Sequence, residues 1–285
     1  MTEIHPTAIV HPSARLGEGT TVGPYAVVEA DVELGAHNVL WAHSYVGRFT
    51  HMGDHNQVHP FATVGHLPQD VSFSPATETY TRIGHRNTFR EHCSVHRATK
   101  AGQATTIGDD CLLMAHSHVG HDSHLGNHVI LVNNSVVAGH CEIQDRAILS
   151  GYVAIHQFCR VGRFAMISGL SVANKDVPPF FLGGGRPALF EGINAVGLKR
   201  AGFESAVRKD VKQACRILFR EGLTVPEACE KILATCSSDL ARELVDFVRA
   251  SKRGITISIG GGGDSLSTKP RRVAGAQDED DDDDD

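Results

Sequence analysis

The sequence lacks the features that define several large classes of protein. No stretch of the 285 residues approaches the roughly 20 consecutive apolar residues of a membrane-spanning helix. The first residues, Met1 to Pro6, have neither the basic nor the apolar region of a signal peptide. Seven cysteines, an odd number spread thinly over a long chain, argue against a disulfide framework. We therefore expect a cytoplasmic protein without a membrane span.

Two common catalytic signatures are also missing. No segment resembles the G-x-S-x-G turn that presents a nucleophilic serine, or a glycine-rich loop that binds phosphate. The 29 glycines instead follow a regular spacing of six residues. An apolar fraction of 41% excludes a wholly disordered chain.

The net charge of −6 comes from the C-terminus. Residues 278–285 are all acidic, and without them 27 Lys and Arg face 25 Asp and Glu. A body so close to neutral gives no reason to expect a nucleic-acid partner. The four glycines from Gly260 and the acidic run predict a flexible tail over residues 255–285.

A period of six residues dominates the first two thirds of the chain. Apolar residues, almost all of them aliphatic, recur at every sixth position in three blocks: Ile4, Val10, Leu16, Val22, Val28, Leu34, Leu40, Val46, Met52, Val58 and Val64; Ile83, Phe89 and Val95; Ile107, Leu113, Val119, Leu125, Leu131, Val137, Ile143, Leu149, Ile155, Val161 and Ile167. Glycine often follows the apolar residue, and a small residue often comes four positions after it. The periods of an α-helix and of a half-exposed strand do not give this pattern.

A hexapeptide period is typical of a parallel β-helix, in which each repeat forms one short strand and one corner. The aliphatic residue points inward, and Gly or Asn is expected to take the corner conformation. Three faces make a coil of about 18 residues, stacked at about 4.8 Å. The pattern predicts an all-β solenoid over residues 1–180, with nine or ten coils.

Two breaks in the register, near residues 65–82 and 97–106, predict loops that leave the coil, where function often lies. The hexapeptide signal stops near residue 178. Three amphipathic stretches then predict a small α-helical cap over residues 187–254, with helices near 205–221, 226–236 and 239–252. The second has a capping box formed by Thr224 and Glu227.

The 18 histidines raise the possibility of a metal site, which their spacing does not support. The gamma class of carbonic anhydrases, also β-helical, uses a His-x4-His pair and a third His about two coils earlier. His116 and His121 match the pair, but 36 residues before His116 lies Tyr80. The alternative interval from His85 to His121 fails because position 126 is Gly. We therefore expect no metal.

A sharper candidate is the pair His121 and Asp122. One coil is 18 residues, so Gly139 and His140 should be stacked next to this pair. A histidine beside a carboxylate is suited to general-base catalysis, and a glycine N–H is suited to stabilising an oxyanion. With no obvious protein nucleophile, the arrangement favours direct acyl transfer from a thioester to a bound hydroxyl or amine.

Several segments closely resemble the acyl-[acyl carrier protein]–UDP-N-acetylglucosamine O-acyltransferases, which open lipid A biosynthesis. They are Leu112–Met114, His118–Asp122, Asn133–Asn134, Ala138–His140, Val153–Cys159, Asp176–Pro179 and Gly197–Phe203. The resemblance covers about residues 4 to 254. It implies a left-handed β-helix, a homotrimer with active sites between subunits, and acyl carrier protein and UDP-N-acetylglucosamine as substrates. It implies no cofactor beyond the phosphopantetheine that carries the acyl donor.

The resemblance also implies roles for individual residues. His121 matches the general base, Asp122 its partner and Gly139 the oxyanion amide. The residues that line the site are matched by His118, His140, His156 and Gln157. The sugar contact is matched by Asp70, and the nucleotide and phosphate contacts are matched by Asn194 and Arg200. Gly169 matches the residue that sets the acyl-chain length. Three positions depart from the family pattern, since Ser72, Val196 and Ala201 replace charged residues common there.

Two alternatives remain open at this point. A related N-acyltransferase of the same pathway shares the coils but carries an extra N-terminal domain, for which repeats starting at Ile4 leave no room. A non-catalytic scaffold or metal-binding β-helix would require the stacking of His121, Asp122 and Gly139 to be accidental. The sequence does not distinguish a 3-hydroxyl from a 3-amino acceptor.

Overall fold

The computed structural model describes residues 1–257. Short strands follow one another at intervals of about six residues: β1 (Glu3–Ile4), β2 (Ile9–Val10), β3 (Arg15–Leu16), β4 (Thr21–Val22), β5 (Val27–Val28), β6 (Glu33–Leu34), β7 (Val39–Leu40), β8 (Tyr45–Val46), β9 (Thr50–Met52), β10 (Gln57–Val58), β11 (Thr63–His66), β12 (Tyr80–Ile83), β13 (Thr88–Phe89), β14 (Ser94–His96), β15 (Ala104–Ile107), β16 (Leu112–Leu113), β17 (His118–Val119), β18 (His124–Leu125), β19 (Ile130–Leu131), β20 (Val136–Val137), β21 (Glu142–Ile143), β22 (Ile148–Leu149), β23 (Ala154–Ile155), β24 (Arg160–Val161), β25 (Met166–Ile167), β26 (Val172–Ala173), β27 (Phe181–Gly184) and β28 (Leu189–Ile193). Four helices come last: α1 (Ala195–Arg200), α2 (Ser205–Arg220), α3 (Val225–Thr235) and α4 (Asp239–Arg249).

Every third strand pairs in parallel, so the strands form three sheets around one interior. Sheet A runs from β1 through β4 to β25, β27 and β28, sheet B from β2 to β26, and sheet C from β3 to β24. The chain visits A, B and C in turn, and we call the connections corners AB, BC and CA. Regular pairs are 18 residues apart, as between His118 and Val136. The predicted solenoid of three-sided coils is confirmed.

Both extruded loops leave corner BC. The 67–79 loop joins β11 to β12, and the 97–103 loop joins β14 to β15. Each loop is shorter than the sequence indicates, because the flanking strands extend into the predicted breaks. The coil continues past the loops without loss of pairing: Gln57 pairs with Thr88 and Ser94 with His118.

The hexapeptide aliphatic residues fill the interior. From Val22 onward these side chains are at most 6% exposed, and most are fully buried. All seven cysteines lie in the described part of the chain, and they are buried and unpaired. Four of them, at positions 93, 111, 141 and 159, occupy the small-residue slot, where burial raises the pKa of each thiol.

The expected role of glycine at the corners is wrong. The left-handed backbone conformation falls three residues after the aliphatic residue, where the chain has side chains such as Tyr25, His43 and Asp122. Glycine instead follows the aliphatic residue directly, mostly without positive φ. A Cβ at Gly17 would lie 2.3 Å from the carbonyl carbon of Gly35 in the next coil. These glycines are therefore needed because consecutive coils approach closely.

Stacked aromatic rings explain part of the histidine content. At corner AB the rings of Tyr25, His43, Phe61, His92 and His116 form one ladder, with centroids 4.8–5.1 Å apart and planes within 12°. Each of these residues has positive φ, a conformation in which His is enriched among non-glycine residues. The ladder therefore accounts for three histidines without any metal.

The region after the coil differs from the predicted cap. An antiparallel hairpin, β27 and β28, lies where the cap was expected to begin, and α1 was not predicted. The three expected helices are present as α2, α3 and α4. Glu227 accepts a hydrogen bond from the backbone N–H of Thr224 at 2.9 Å, as the capping box requires, and a second from the Thr224 hydroxyl at 2.7 Å. No helix within residues 1–257 is long and apolar enough to cross a membrane.

Residues after α4 return to the coil. Ile255 bridges Asp176, and the N–H of Phe190 donates to the carbonyl of Ile257 at 2.9 Å. The predicted tail therefore begins no earlier than residue 258, and the remainder of that prediction lies outside the described residues. Helix α4 packs against sheet C, where Arg160 lies over the Phe247 ring at 4.2 Å and Arg163 pairs with Glu243.

Candidate active site

His121 and Asp122 form a hydrogen-bonded pair at corner BC. The distance from Nδ1 of His121 to Oδ2 of Asp122 is 2.7 Å, and the two side chains are only 12% and 10% exposed. An ionised carboxylate only accepts hydrogen bonds, so Nδ1 carries the proton and donates it. Nε2 of His121 is then the basic nitrogen, which is the form a general base requires.

Gly139 lies directly over the His121 ring. A Cβ at this position would be 2.6 Å from Cε1 and 2.8 Å from Nε2 of His121. Among residues 1–257 the N–H of Gly139 donates to no acceptor. The site therefore has an unpaired N–H donor next to the basic nitrogen of His121.

Four further residues predicted for the site also lie at or beside corner BC. His118 is on β17 and bonds to Ser94 through Nδ1 at 2.7 Å, and burial lowers its pKa. His140 stacks on Phe158, with ring centroids 4.7 Å apart. Burial lowers the pKa of His140, although the nearby Asp122 opposes the shift. His156 and Gln157 occupy the same corner one coil further along the solenoid.

Asp70 reaches this group from the 67–79 loop. Its carboxylate accepts hydrogen bonds from the hydroxyl and the backbone N–H of Ser72, at 2.7 and 2.8 Å, and these lower its pKa. The charges of His121 and His140 add to the effect. Ser72, one of the departures from the family pattern, therefore replaces a basic residue with a short-range donor to Asp70.

Three predicted residues lie elsewhere in the single chain. Gly169 is at corner AB, between β25 and β26. Asn194 is 5% exposed and caps α1: its Oδ1 accepts from Gly197 and its Nδ2 donates to Phe164 at corner CA. Arg200 is exposed at the end of α1. The side chain of Asn194 therefore has a structural role in the fold, and its role as a nucleotide contact stays a prediction.

Sequence reasoning missed three residues at the site. Thr99, in the 97–103 loop, donates to Asp122, and the hydroxyl of Thr105 accepts from the backbone N–H of Asp122 at 2.8 Å. Both lie within the second predicted break in the register, where counting by 18 fails. Arg253, far away in sequence, lies 3.5 Å from Nδ1 of His156 and donates to the carbonyl of Asn174 at 3.3 Å. Only the return of the chain after α4 reveals that contact.

Two other features bear on the chemistry. The possible metal-ligand atoms of His121, Asp122 and His140 lie within 4.8 Å of one another, and Oδ2 of Asp122 already accepts hydrogen bonds. Separately, a charged groove of about 850 Å³ lies between sheet C and α4, and none of the predicted site residues lines it.

Family models and solved structures agree with this architecture. A model described as bacterial transferase hexapeptide (six repeats) matches residues 13–48 and 104–139. A UDP-N-acetylglucosamine acyltransferase from Bacteroides fragilis is 36% identical with a TM-score of 0.85, covering 88% of this chain and 98% of that one. One from Francisella novicida is 33% identical with a TM-score of 0.86, covering 90% and 95%. The fold is thus the predicted left-handed β-helix of hexapeptide transferases.

More specific matches define the family. A model described as UDP N-acetylglucosamine O-acyltransferase, domain 2, matches residues 176–256. Acyl-[acyl-carrier-protein]–UDP-N-acetylglucosamine O-acyltransferases from Syntrophobacter fumaroxidans and a Sulfurihydrogenibium species are 41% and 50% identical. These matches cover 89% and 90% of this chain, and 99% and 94% of those proteins. The chain belongs to the acyl-[acyl-carrier-protein]–UDP-N-acetylglucosamine O-acyltransferase family.

Proposed function

We propose that this enzyme transfers a 3-hydroxyacyl chain from acyl carrier protein to the 3-position of UDP-N-acetylglucosamine, the first step of lipid A biosynthesis, in the cytoplasm. Family membership supports the reaction type and the two substrates. The observation that carries the mechanism is the placement of Gly139 against His121, which in turn bonds to Asp122 at 2.7 Å. The acyl donor is carried on phosphopantetheine, and no other cofactor is required.

In the proposed mechanism His121 acts as the general base. Nε2 removes the proton from the acceptor 3-hydroxyl as its oxygen attacks the thioester carbonyl, and Asp122 stabilises the resulting imidazolium. The N–H of Gly139 donates to the oxyanion of the tetrahedral intermediate. Collapse of the intermediate re-forms the carbonyl and breaks the carbon–sulfur bond. The imidazolium then returns its proton to the departing thiolate, which restores His121.

We also propose that three chains assemble so that each site is completed by a neighbouring copy. The outward positions of sheets A and B are largely apolar, whereas those of sheet C are largely charged. Examples are Val39, Leu112, Ile130, Ile148 and Met166 in sheet A, and Ile9, Val27, Tyr45, Val136 and Val172 in sheet B. In sheet C the corresponding side chains are Arg15, Glu33, Arg82, Glu142 and Arg160. Two different apolar faces separated by corner AB favour a closed ring, because face A of one copy then covers face B of the next.

The exposed edge of corner AB supports the same assembly. Tyr25, Phe61, Tyr152 and Leu170 are each more than half exposed there, in a row that also contains three stacked histidines and that would meet its copies along the threefold axis. Gly169 lies on this corner, whereas His121 lies on corner BC of the same chain. The acyl-chain role of Gly169 and the phosphate role of Arg200 therefore require a site built from two copies.

The acyl carrier protein is proposed to dock on the helical region. Residues 186–253 contain 13 Lys and Arg and 9 Asp and Glu. Lys209, Lys212, Arg216 and Arg220 are exposed, and their spacing places them along one face of α2. Acyl carrier proteins are strongly acidic, so this basic face fits such a partner.

An acyl-transfer assay with defined substrates tests the proposal. Wild-type enzyme is incubated with 3-hydroxyacyl carrier protein and either UDP-N-acetylglucosamine or its 3-amino analogue, with and without prolonged chelation. We expect acylation of the 3-hydroxyl, unchanged by chelation, and a loss of at least about 10²-fold in folded, trimeric His121→Ala. Preferential acylation of the 3-amino sugar would show that the acceptor is an amine. Loss of activity on chelation that added zinc restores would support a metal role. Near-normal turnover of His121→Ala would refute the mechanism.

A further inference from the structure

The 97–103 loop supplies most of the hydrogen bonds that Asp122 accepts. The hydroxyl of Thr99 donates to Oδ2 of Asp122 at 2.7 Å. The backbone N–H of Thr99 donates to Oδ1 and Oδ2 at 3.1 and 3.2 Å. His121 is the other donor, also to Oδ2. One residue of a loop outside the regular coil therefore fixes the face of the carboxylate that His121 uses.

This loop is held firmly by its neighbours. The N–H of Arg97 donates to the carbonyl of His66 at 3.0 Å, and the N–H of Ala98 donates to the carbonyl of Tyr80 at 3.2 Å. The Arg97 guanidinium is buried near the rings of Phe49 and Phe73. Thr99 therefore presents its donors from a fixed backbone, and little ordering is needed when the substrates bind.

The side chain of Arg97 also links this loop to the loop that carries Asp70. Its Nη2 donates to the carbonyl of Pro75 at 3.1 Å, within the 67–79 loop. The N–H of Gly102 donates to the carbonyl of Glu78 at 3.0 Å. The two extruded loops thus form one connected unit, with Asp70 on one side and Thr99 on the other.

The chemistry of Asp122 depends on these donors. Burial acts to raise the pKa of Asp122, but hydrogen bonds from His121 and then from Thr99 outweigh it and leave the pKa below its usual value. A carboxylate held ionised and in one orientation keeps the proton on Nδ1 of His121 and leaves Nε2 basic. Without the Thr99 hydroxyl, Oδ2 would lose one of its two short hydrogen bonds and keep those from His121 and, at 3.2 Å, from the Thr99 N–H, so the carboxylate would be held less firmly.

We propose that Thr99 is a positioning residue of the acyl transfer: its hydroxyl holds Asp122 in the orientation that makes His121 a base. The inference rests on the proposed function, in which His121 is the general base. It goes beyond that function by assigning a role to the 97–103 loop. Within the described chain, Thr99 is the residue of this loop that forms hydrogen bonds to Asp122.

Other ionisable groups around Asp122 bear on any pH measurement. His140 faces it directly, with Nε2 at 3.6 Å from Oδ2. The remaining groups influence His121, His140 or both through their charge and come from three elements: His96 and His118 from sheet B, Asp70 from the 67–79 loop and Lys100 from the 97–103 loop. Since Thr99→Val changes none of these charges, a change in pH dependence would report on Asp122 and His121.

The first test compares Thr99→Val, which removes the hydroxyl at nearly constant volume, with Thr99→Ser, which keeps it. Thr106→Val is the matched control, because its hydroxyl bonds only to the exposed His124 on sheet C. We expect kcat to fall about ten- to hundredfold in Thr99→Val, the range for a lost hydrogen bond to a charged group. Thr99→Ser should recover most of the rate, and Thr106→Val should match wild type.

The pH profile separates positioning from general loosening of the loop. Fewer donors leave more negative charge on Asp122, which stabilises the imidazolium over the neutral base. The acidic limb of kcat/KM should therefore move to higher pH in Thr99→Val by about half a unit or more. A purely structural role would lower the rate without moving this limb. Wild-type kcat and an unmoved limb in Thr99→Val would overturn the inference, as would Thr99→Ser behaving like Thr99→Val.

An NMR titration of the Asp122 carboxyl carbon keeps the test independent of activity. Its titration should move to higher pH in Thr99→Val and stay near the wild-type curve in Thr99→Ser. If wild type fails to acylate UDP-N-acetylglucosamine but this shift is seen, the proposed function fails while the hydrogen-bond role of Thr99 stands. If the curves coincide in all three proteins, the role of Thr99 is refuted. Thr99→Ala replaces Thr99→Val if the valine variant does not fold.

Discussion

Replacing Gly139 by alanine tests how closely the oxyanion donor and the base are packed. The added methyl group would start 2.6 Å from Cε1, 2.8 Å from Nε2 and 3.1 Å from Nδ1 of His121. Gly139 does not have positive φ, so the backbone accepts alanine without strain. The whole effect of Gly139→Ala should therefore act through the imidazole.

The size of the effect follows from the distances. Ordinary van der Waals contact begins at 3.4 Å, so Cε1 must retreat by about 0.8 Å. The ring is tied to Asp122 at 2.7 Å and meets His140 edge-on at 5.1 Å, so it cannot move without changing its direction toward the acceptor. A misplacement of about 1 Å costs roughly 10²-fold in rate. We expect kcat to fall by about that factor, with a much smaller change in KM.

The assay is steady-state acyl transfer at saturating donor, with circular dichroism and sedimentation as checks on folding and assembly. Gly192→Ala is the control, because a Cβ there meets nothing within 4 Å and Gly192 lies on β28, away from corner BC. It should retain wild-type kcat. If folded Gly139→Ala turned over at the wild-type rate, the close contact between Gly139 and His121 would not be part of the catalytic geometry.

Two further predictions concern the donor. Gly169→Met should shift preference toward shorter 3-hydroxyacyl chains without abolishing turnover, because the new Cβ meets only the Gly151 carbonyl, at 3.2 Å. Each buried methylene of the chain is worth about 0.8 kcal/mol, which is roughly a fourfold preference per carbon. An unchanged length profile in a donor panel would show that another residue sets the chain length. The rate at sub-saturating acyl carrier protein should fall steeply with salt, because the basic face of α2 steers an acidic partner; a flat response, or equal use of acyl-coenzyme A, would count against docking there.

The repeat makes most of the fold predictable. A strict period of six fixes which side chain points inward at every strand, and a coil of 18 residues is enough to place His121 next to Gly139. The same arithmetic gives no information on how closely coils approach. That approach, and not a special backbone angle, is what selects glycine at positions such as Gly17. The sequence therefore shows the glycine pattern but not its cause.

The arithmetic also ends where the register breaks. Thr99 lies within a break, so only the pairing of β14 and β15 with their neighbours brings it to Asp122. Asn194 has a structural role that the sequence did not indicate, because this polar residue is the N-cap of the short helix α1. Residues 181–193 have no hexapeptide signal, and the hairpin they form depends on pairing with the last coil.

The concentration of the site at one corner follows from how the solenoid tolerates insertions. A corner is the only place where a loop can leave without breaking a strand, and the strands before and after each loop keep their pairing. Residues that need exact mutual placement, His121 and Gly139, lie in consecutive regular coils, where the register fixes them. The residues proposed to adjust this pair or to meet the substrate, Thr99 and Asp70, come from the loops of the same corner. Substrate preference can therefore change through the loops while the rigid coil preserves the geometry of the base and the oxyanion donor.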